Sequence, residues 1–386
     1  MYLNNWEEKA LKGEFGEGLK FAYEILCAVG KLMDADRLIP IKSAHVSGIN
    51  YANIGDAGLE FIKDISSKAK FSILTTINPC GIDAENPHKF PLPQDFIRKQ
   101  MEIIESFKKM GSLLSLTCIP YEGDNVPPEE SHVSWAESSA VIYANSVLNL
   151  RTNRESGITA LAAAIAGKTP LAGLHLNENR KPKFLIKVEI PLSSSTEYGL
   201  LGYYAGSLTN ETIGFISKQI PEKRDLKALS AAIGASGASG MFVWGVSGKP
   251  SVSFDKAELR NVKDEVNTAE EGDVIFLGCP FVTLNEAVWL ASQIKGRVFK
   301  KPVYLFTSRR VLKEVEKRDL MAIFKRAGVE VVKDVCPSLT PLVKYMGVKS
   351  VTVCSVKAAH YLKSSFNIGI SLLSIDEVLK KYTEQI

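Results

Sequence analysis

Residues 273–281 read DVIFLGCPF, an apolar run that ends on a Cys-Pro pair. Two later runs have the same form: VEVVKDVCPSL at 329–339 also delivers Cys-Pro, and SVTVCSVKAAHY at 350–361 delivers Lys357 after its apolar part. Helix-like segments separate these runs, and strands that alternate with helices are typical of a mainly parallel sheet covered by helices. The chain is therefore predicted to have an α/β fold with reactive groups at the ends of its strands.

The composition is that of a globular protein with little charge bias. The chain has 386 residues, 45% of them hydrophobic, which is enough to bury a sizeable core in two or three lobes. Its net charge is +4 and the basic residues are scattered, so the sequence indicates no nucleic-acid partner. It has no basic leader before a long apolar stretch, and no apolar run approaches the roughly 20 residues that span a bilayer. We therefore expect a cytoplasmic protein with no membrane partner.

A polar, charged stretch at 253–273 divides the chain. Residues 1–265 are predicted to form an N-terminal catalytic region of two intertwined α/β lobes, and residues 266–386 a C-terminal α/β lobe. In the N-terminal region, Asn5 is the expected cap of the first helix, because a glutamate follows three positions later. Gly111 is the expected end of a later amphipathic helix.

Five polar or reactive residues follow predicted strands within a few positions of the carboxyl end. They are Asn78, Cys118, Cys279, Cys336 and Lys357. In open α/β sheets, ligands bind outside the carboxyl ends of the strands. We therefore expect these five residues to form one site.

The chain has six cysteines, and no two of them form a CxxC pair. A structural zinc site usually takes four ligands in local pairs, so three thiolates from distant segments fit it poorly. They would fit a four-iron cluster with one open iron, which can act as a Lewis acid on a substrate hydroxyl. Spacing alone does not single out three of the six, since most buried cysteines are small hydrophobes. Cys27 and Cys354 are expected to be of that kind, and Cys80 stays ambiguous.

A set of motifs in a fixed order resembles the aconitase X family over essentially the whole chain, and specifically its archaeal large subunits. The motifs are AHVSGINYANIGDAG (44–58), TTINPCGID (75–83), LTCIPY (116–121), SWAESSAVIYANSVLNLRTNRESG (134–157), GASGASGMFVWGVSG (234–248), FLGCPF (276–281), DVCPSL (334–339) and SVKAAHY (355–361). The resemblance implies an aconitase-like, multi-lobed architecture with mainly parallel sheets flanked by helices.

The resemblance also implies an activity. The expected reaction is elimination of water from a small phosphorylated hydroxy acid, (R)-5-phosphomevalonate, to give trans-anhydromevalonate 5-phosphate in an archaeal mevalonate pathway. The implied cofactor is an iron–sulfur cluster of the 4Fe-4S type. Two alternatives are a dehydratase of hydroxyprolines, as in bacterial members of the family, and a non-enzymatic cluster protein that senses iron or oxygen.

Carried over position by position, the resemblance implies cluster ligation by Cys118, Cys279 and Cys336, the last two in the C-terminal lobe. The substrate contacts that it implies are Gly48, Ile49, Asn50, Asn78, Pro79, Glu137, Ser138 and Lys357. Cys80 stands where the family commonly has a small residue, which places an extra thiol near the expected cluster.

Other polar residues keep more than one interpretation. Arg151 and Arg154 lie three positions apart, so they could share a helix face and bind a phosphate, or pair with Glu155 or Glu137. Three histidines in family-like motifs lie at no metal-ligand spacing and are left without a role; they are His45, His132 and His360.

The proton-abstracting base is not evident in this chain. The resemblance implies a separate small subunit that completes the active site and supplies the base, a serine in aconitase-like enzymes. The isolated chain is therefore expected to bind its cluster but to turn over poorly.

Overall fold

The computed structural model describes residues 1–385, and its secondary structure divides into three successive regions. The first contains α1 (Asn5–Leu11), α2 (Glu17–Leu32), β1 (Leu38–Pro40), β2 (Ser43–Val46), α3 (Tyr51–Lys68), β3 (Leu74–Ile77), α4 (Gln94–Met110), β4 (Ser134–Trp135), α5 (Ser138–Ser146), α6 (Gly157–Ala166) and β5 (Lys168–Pro170). Two short 3-10 helices follow, Gly173–His175 and Asn177–Arg180. The second contains β6 (Phe184–Val188), α7 (Ser195–Leu208), β7 (Ile213–Ile216), α8 (Lys223–Ser236), β8 (Phe242–Trp244), β9 (Val252–Phe254) and α9 (Lys256–Val266). The third contains β10 (Val274–Val282), α10 (Leu284–Ile294), β11 (Arg297–Phe299), β12 (Val303–Thr307), α11 (Arg309–Lys317), α12 (Met321–Arg326), β13 (Val329–Lys333), α13 (Leu342–Tyr345), β14 (Ser350–Val353), α14 (Val356–Phe366), β15 (Gly369–Leu372), α15 (Ile375–Tyr382) and β16 (Thr383–Gln385).

Each region has one sheet in which every pairing is parallel. The N-terminal sheet has the order β3-β2-β4, the middle sheet β8-β7-β6-β9, and the C-terminal sheet β13-β12-β10-β14-β15. The antiparallel pairs β1-β5 and β11-β16 lie outside these sheets. The α/β class predicted from the alternating runs is therefore confirmed.

The order of the C-terminal sheet creates a crevice. The chain starts in the centre with β10, continues outward through β12 and β13, and then returns to the other side of β10 with β14 and β15. The direction of winding therefore reverses between β10 and β14, and such reversals open a gap at the carboxyl ends of the strands. Cys279 lies on β10 and Lys357 in the first turn of α14, so both flank this gap.

The sequence predicted that Cys279 follows a strand, but in the structure it lies inside one. Strand β10 runs on to Val282, and its pairing with β12 shifts register between Leu277 and Val282. Gly278 adopts φ 107° at this shift, a conformation that side chains other than glycine rarely take. The bulge lets the strand continue while it presents Cys279 at the edge of the sheet.

The segment before Cys118 is extended but is not the regular strand that its apolar run predicted. Leu113 and Thr117 donate their N–H groups to β3, to Thr75 O at 2.8 Å and to Ile77 O at 3.0 Å. Between them, the Ser115 hydroxyl bonds both the N–H and the carbonyl of Ile77, and Leu116 has φ 43°. The Ser115 side chain thus replaces backbone hydrogen bonds that a regular strand would form with β3.

Of the two helix ends predicted from the sequence, one is confirmed and the other is wrong by one residue. Gly111 ends α4 in the left-handed conformation, as predicted. The first helix is capped by Asn4 together with Glu7, so the prediction of Asn5 is wrong by one position. Both registers contain asparagine followed by glutamate at the same spacing, so the sequence does not distinguish them. Within residues 1–385, no helix is long and apolar enough to cross a membrane.

Gly278→Ala is expected to destabilise the chain more than Gly296→Ala. Both glycines have positive φ, so alanine is strained at each by about 1–2 kcal/mol. At Gly278 a Cβ would also lie 2.2 Å from the carbonyl oxygen of Phe306, whereas nothing lies within 4 Å at Gly296. Urea unfolding should show about 3 kcal/mol lost for Gly278→Ala and about 1 kcal/mol for Gly296→Ala. Equal losses would contradict the close approach of β10 and β12.

Candidate active site

The site begins with an ion pair between two strand-end helices. Glu137 caps α5 directly after β4, and Lys357 lies in the first turn of α14 after β14. The Lys357 ammonium donates to Glu137 Oε1, and only 6% of Glu137 and 7% of Lys357 is exposed. Lys357 is therefore a buried residue rather than a solvated surface lysine.

The surroundings of Glu137 keep its charge. Burial opposes ionisation, but the Lys357 ammonium, the Ser139 hydroxyl and the Ala140 N–H together hold the pKa of Glu137 below its ordinary value. The Ser139 hydroxyl and the Ala140 N–H both donate to Oε2 at 2.6 Å. The Lys357 ammonium also lies 3.4 Å from the Ser138 hydroxyl. These contacts make Glu137 a fixed anion rather than a ready proton acceptor.

Three thiols lie around this pair. Burial raises the pKa of Cys118 and of Cys279, and it raises the pKa of Cys336 to about 12. At each of the three sulfurs the positive charge of Lys357 opposes that rise. The fold therefore brings thiols from segments far apart in the chain near the same ammonium group.

The sulfur atoms receive hydrogen bonds that suit thiolates. The N–H of Phe281 donates to Cys118 Sγ at 3.2 Å, and the Ser338 hydroxyl donates to Cys279 Sγ at 3.1 Å. The backbone N–H groups of Ser338 and Leu339 face Cys336. Three cysteine sulfurs that accept such donors fit an iron–sulfur cluster, whose properties depend on hydrogen bonds to its sulfurs. Among residues 1–385, no three His, Cys, Asp or Glu side chains are grouped closely enough to bind a single metal ion.

The first loop expected to contact substrate is tied to the loop after Cys336. Asn50 caps α3 through Ala52, and its amide donates to Thr340 Oγ1 at 3.0 Å. The neighbouring Ile49 is buried, and its carbonyl accepts from the Gln100 amide at 2.7 Å. Gly48 precedes them with φ 81°. This loop therefore contributes mainly backbone and is held rigid at the edge of the site.

The turn at Asn78 and Pro79 is joined directly to Cys336 through Cys80. The Cys80 N–H donates to Asp334 O at 2.8 Å, and the Cys336 N–H donates to Cys80 O at 3.0 Å. The Cys80 thiol donates to Ile82 O at 3.0 Å and is fully buried. Cys80, ambiguous in the sequence, thus has a structural role in its backbone and a satisfied side chain.

Asp334 shapes the same loop, and no pattern in the sequence indicates its role. It is fully buried with φ 67°, and its carboxylate accepts two bonds from Arg309, at 3.0 Å and 2.8 Å. Arg309 comes from α11, after β12. A planar guanidinium that binds both carboxylate oxygens fixes the orientation of both groups. The pair therefore holds the loop that leads to Cys336.

The two other arginines do not behave as expected. Arg151 and Arg154 lie on an extended segment rather than a helix, and neither forms an ion pair within residues 1–385. Arg151 donates to the carbonyl of His175 at 3.3 Å. Arg154 donates to carbonyls at the end of α8, including Gly234 O at 3.2 Å. The predicted shared helix face and the predicted pairing with Glu155 or Glu137 are therefore wrong, because backbone carbonyls bind these guanidinium groups.

The remaining cysteines lie outside this arrangement. Cys27 is buried in α2, as expected, whereas Cys354 is only partly buried. Cys354 lines a cavity of about 200 Å³ that also borders Cys279, Pro280, Ser355 and the start of α7. The cavity lies in the gap where the C-terminal sheet reverses its winding. Neither Glu137 nor Lys357 lines it, so it lies beside the ion pair rather than around it.

Comparisons with known proteins place these features in a family. Models of the aconitase X first, second and third domains match residues 1–178, 182–274 and 272–384. The phosphomevalonate dehydratase large subunit of Thermococcus kodakarensis is 38% identical over 99% of this chain and 100% of its own length. That of Methanocaldococcus jannaschii is 38% identical over 98% and 100%. The cis-3-hydroxy-L-proline dehydratase of Pseudomonas aeruginosa is 31% identical, over 93% of this chain and 66% of its own length.

A solved structure gives the same result for the fold. The crystal structure of Thermococcus kodakaraensis aconitase X in its holo-form superposes with a TM-score of 0.92 at 36% sequence identity. The superposition covers 99% of this chain and 100% of that chain. Similarity in sequence and in structure therefore extends over the same full length.

Arg309→Ala should lower the free energy of unfolding by about 3 kcal/mol or more, because it leaves the Asp334 carboxylate buried without its partner. Arg310→Ala is the matched control, since Arg310 is the exposed neighbour on the same helix, and it should change stability by no more than about 0.5 kcal/mol. Urea unfolding measures both. If the two variants lose the same amount, Arg309 does not hold the Cys336 loop.

Proposed function

The chain belongs to the aconitase X family, and on that premise we propose that it is the large subunit of a phosphomevalonate dehydratase. The observation that carries the proposal is the convergence of three thiols on the Glu137–Lys357 pair, in a chain whose full-length relatives are named large subunits of that enzyme. The reaction would eliminate water from (R)-5-phosphomevalonate to give trans-anhydromevalonate 5-phosphate. Its place would be an archaeal mevalonate pathway.

An aconitase-like dehydratase family implies an iron–sulfur cluster. We assign Cys118, Cys279 and Cys336 as its protein ligands, because their sulfurs accept the hydrogen bonds described above. A 4Fe-4S cluster with three protein ligands would supply a Lewis acid for the departing hydroxyl group of the substrate. Cys27, Cys80 and Cys354 are not part of the set.

The chain's own residues would bind and orient the substrate. The Lys357 ammonium is a point charge for a carboxylate or phosphate, and Glu137 holds it in place. Ser138 and the loop at Gly48, with its left-handed backbone, would offer donors that approach an oxyanion closely. Arg151 and Arg154 would contact the substrate phosphate only after exchanging their present carbonyl contacts.

The elimination also needs a proton acceptor. As the C3–O bond breaks, hydroxide leaves with the electron pair, the proton on C2 passes to a base, and a C2–C3 double bond forms. Glu137 is a poor base, since an ammonium, a hydroxyl and an N–H already hold its charge. Relatives named as large subunits imply a small subunit, and we propose that this partner supplies the base.

Activity of the reconstituted enzyme tests the proposal. The anaerobically reconstituted chain, mixed with the small subunit encoded in the same genome, should convert phosphomevalonate to the unsaturated phosphate, detected by mass spectrometry. The chain alone should be about 100-fold slower or more, because a general base contributes about 10²–10⁴ to such reactions.

Cis-3-hydroxy-L-proline is the matched control substrate, and it should not be dehydrated measurably. Equal rates for the single chain and the pair would refute the role of the partner. Dehydration of the hydroxyproline in preference to phosphomevalonate would refute the substrate.

A further inference from the structure

His45 is a fully buried histidine on β2 that contacts the turn at Asn78. Its Nε2 lies 2.7 Å from Asn78 Oδ1, and its Nδ1 lies 2.8 Å from Thr76 Oγ1. The Asn125 amide donates to Thr76 Oγ1 at 3.0 Å and to Ala44 O at 3.1 Å. No role for His45 is evident from the sequence, because these partners are dispersed along the chain.

The partners of the ring decide where its proton lies. Asn78 Oδ1 can only accept, so Nε2 carries the hydrogen. The ring also faces the carbonyl of Thr117, another group that can only accept. Thr76 accepts from Asn125, and its hydroxyl lies 2.8 Å from Nδ1 and 3.3 Å from Ala44 O, so it donates its hydrogen to the nearer Nδ1. Burial lowers the pKa of His45 to about 4, against the opposing influence of Glu137, so the ring is neutral near pH 7.

This arrangement fixes which end of the Asn78 amide is free. The oxygen is engaged by His45, and the NH₂ group donates to no residue in the described part of the chain. Asn78 is only partly buried, so its NH₂ group is accessible. The side chain therefore presents donors and no acceptor.

We propose that His45 is a positioning residue that holds Asn78 so that its NH₂ group binds an oxyanion of the substrate. The inference rests on the proposed function and adds the residue that orients this substrate-binding donor. Phosphomevalonate offers carboxylate and phosphate oxygens, and either can accept from an amide NH₂ group.

The tautomer can be measured without any turnover. Histidine-specific ¹⁵N labelling of the wild-type chain gives signals from five rings, and the loss of one in His45→Gln assigns His45. The inference predicts a neutral ring protonated at Nε2 whose signals do not change between pH 8 and about pH 5.5. A ring protonated at Nδ1, or a cationic ring in this range, would overturn it.

Kinetics of the reconstituted enzyme with its small subunit test the consequence. His45→Leu frees the Asn78 amide and should raise KM for phosphomevalonate about tenfold with a smaller change in kcat. His45→Gln keeps an N–H donor toward Asn78 and should recover most of that loss. His88→Leu, at an exposed histidine, is the control and should change neither parameter. Equal impairment in the Leu and Gln variants, or an unchanged KM, would overturn the inference.

Mevalonate, which lacks the phosphate, identifies the oxyanion. If His45→Leu raises KM for mevalonate and for phosphomevalonate by the same factor, Asn78 binds the carboxylate. If it raises KM for phosphomevalonate alone, Asn78 binds the phosphate. Either pattern supports the inference. A wild-type pair that fails to dehydrate phosphomevalonate would refute the proposed function, while the tautomer measurement on the wild-type chain would still decide the position of the His45 proton.

Discussion

The ion pair between Glu137 and Lys357 lies where water reaches almost neither group. A charge buried without its partner is strongly destabilising, so neither helix can move away without stranding the other charge. Helix α5 begins at the end of the N-terminal sheet and α14 at the end of the C-terminal sheet. The pair thus fixes how two sets of strand ends face each other, and the Lys357 charge acts on all three thiols.

Hydrogen bonds between distant loops refine that placement. The backbone of Cys80 joins the Asn78 turn to Cys336, and Arg309 holds Asp334 two positions before Cys336. Strand β10 contributes both Cys279 and the Phe281 N–H that donates to Cys118. A site made from loops is usually mobile, but here each loop is bonded to another, which keeps the groups at fixed positions.

The sequence predicted that reactive residues lie at the carboxyl edge of the sheets, because parallel strands place their carboxyl ends together. By that logic Lys357, Cys279 and Cys336 are expected at one edge, and in the structure the charge of Lys357 acts on both thiols. The prediction of a regular strand before Cys118 failed because the Ser115 side chain replaces a backbone contact there. The prediction of a carboxylate partner for Arg154 failed because backbone carbonyls bind its guanidinium group. Contacts such as Lys357 with Glu137 join residues far apart in the chain, and local patterns contain no signal for them.

The most direct test of this account is iron binding by the three assigned thiols. Anaerobic reconstitution with iron and sulfide should give about four irons per chain and the absorption spectrum of a 4Fe-4S cluster. This result is expected in the wild type and in the controls Cys27→Ala and Cys354→Ala. Cys118→Ala, Cys279→Ala and Cys336→Ala should each lose that centre while remaining folded by circular dichroism. If no centre forms in the wild type, or if all five variants bind iron alike, the three thiols are packing residues and the account is wrong.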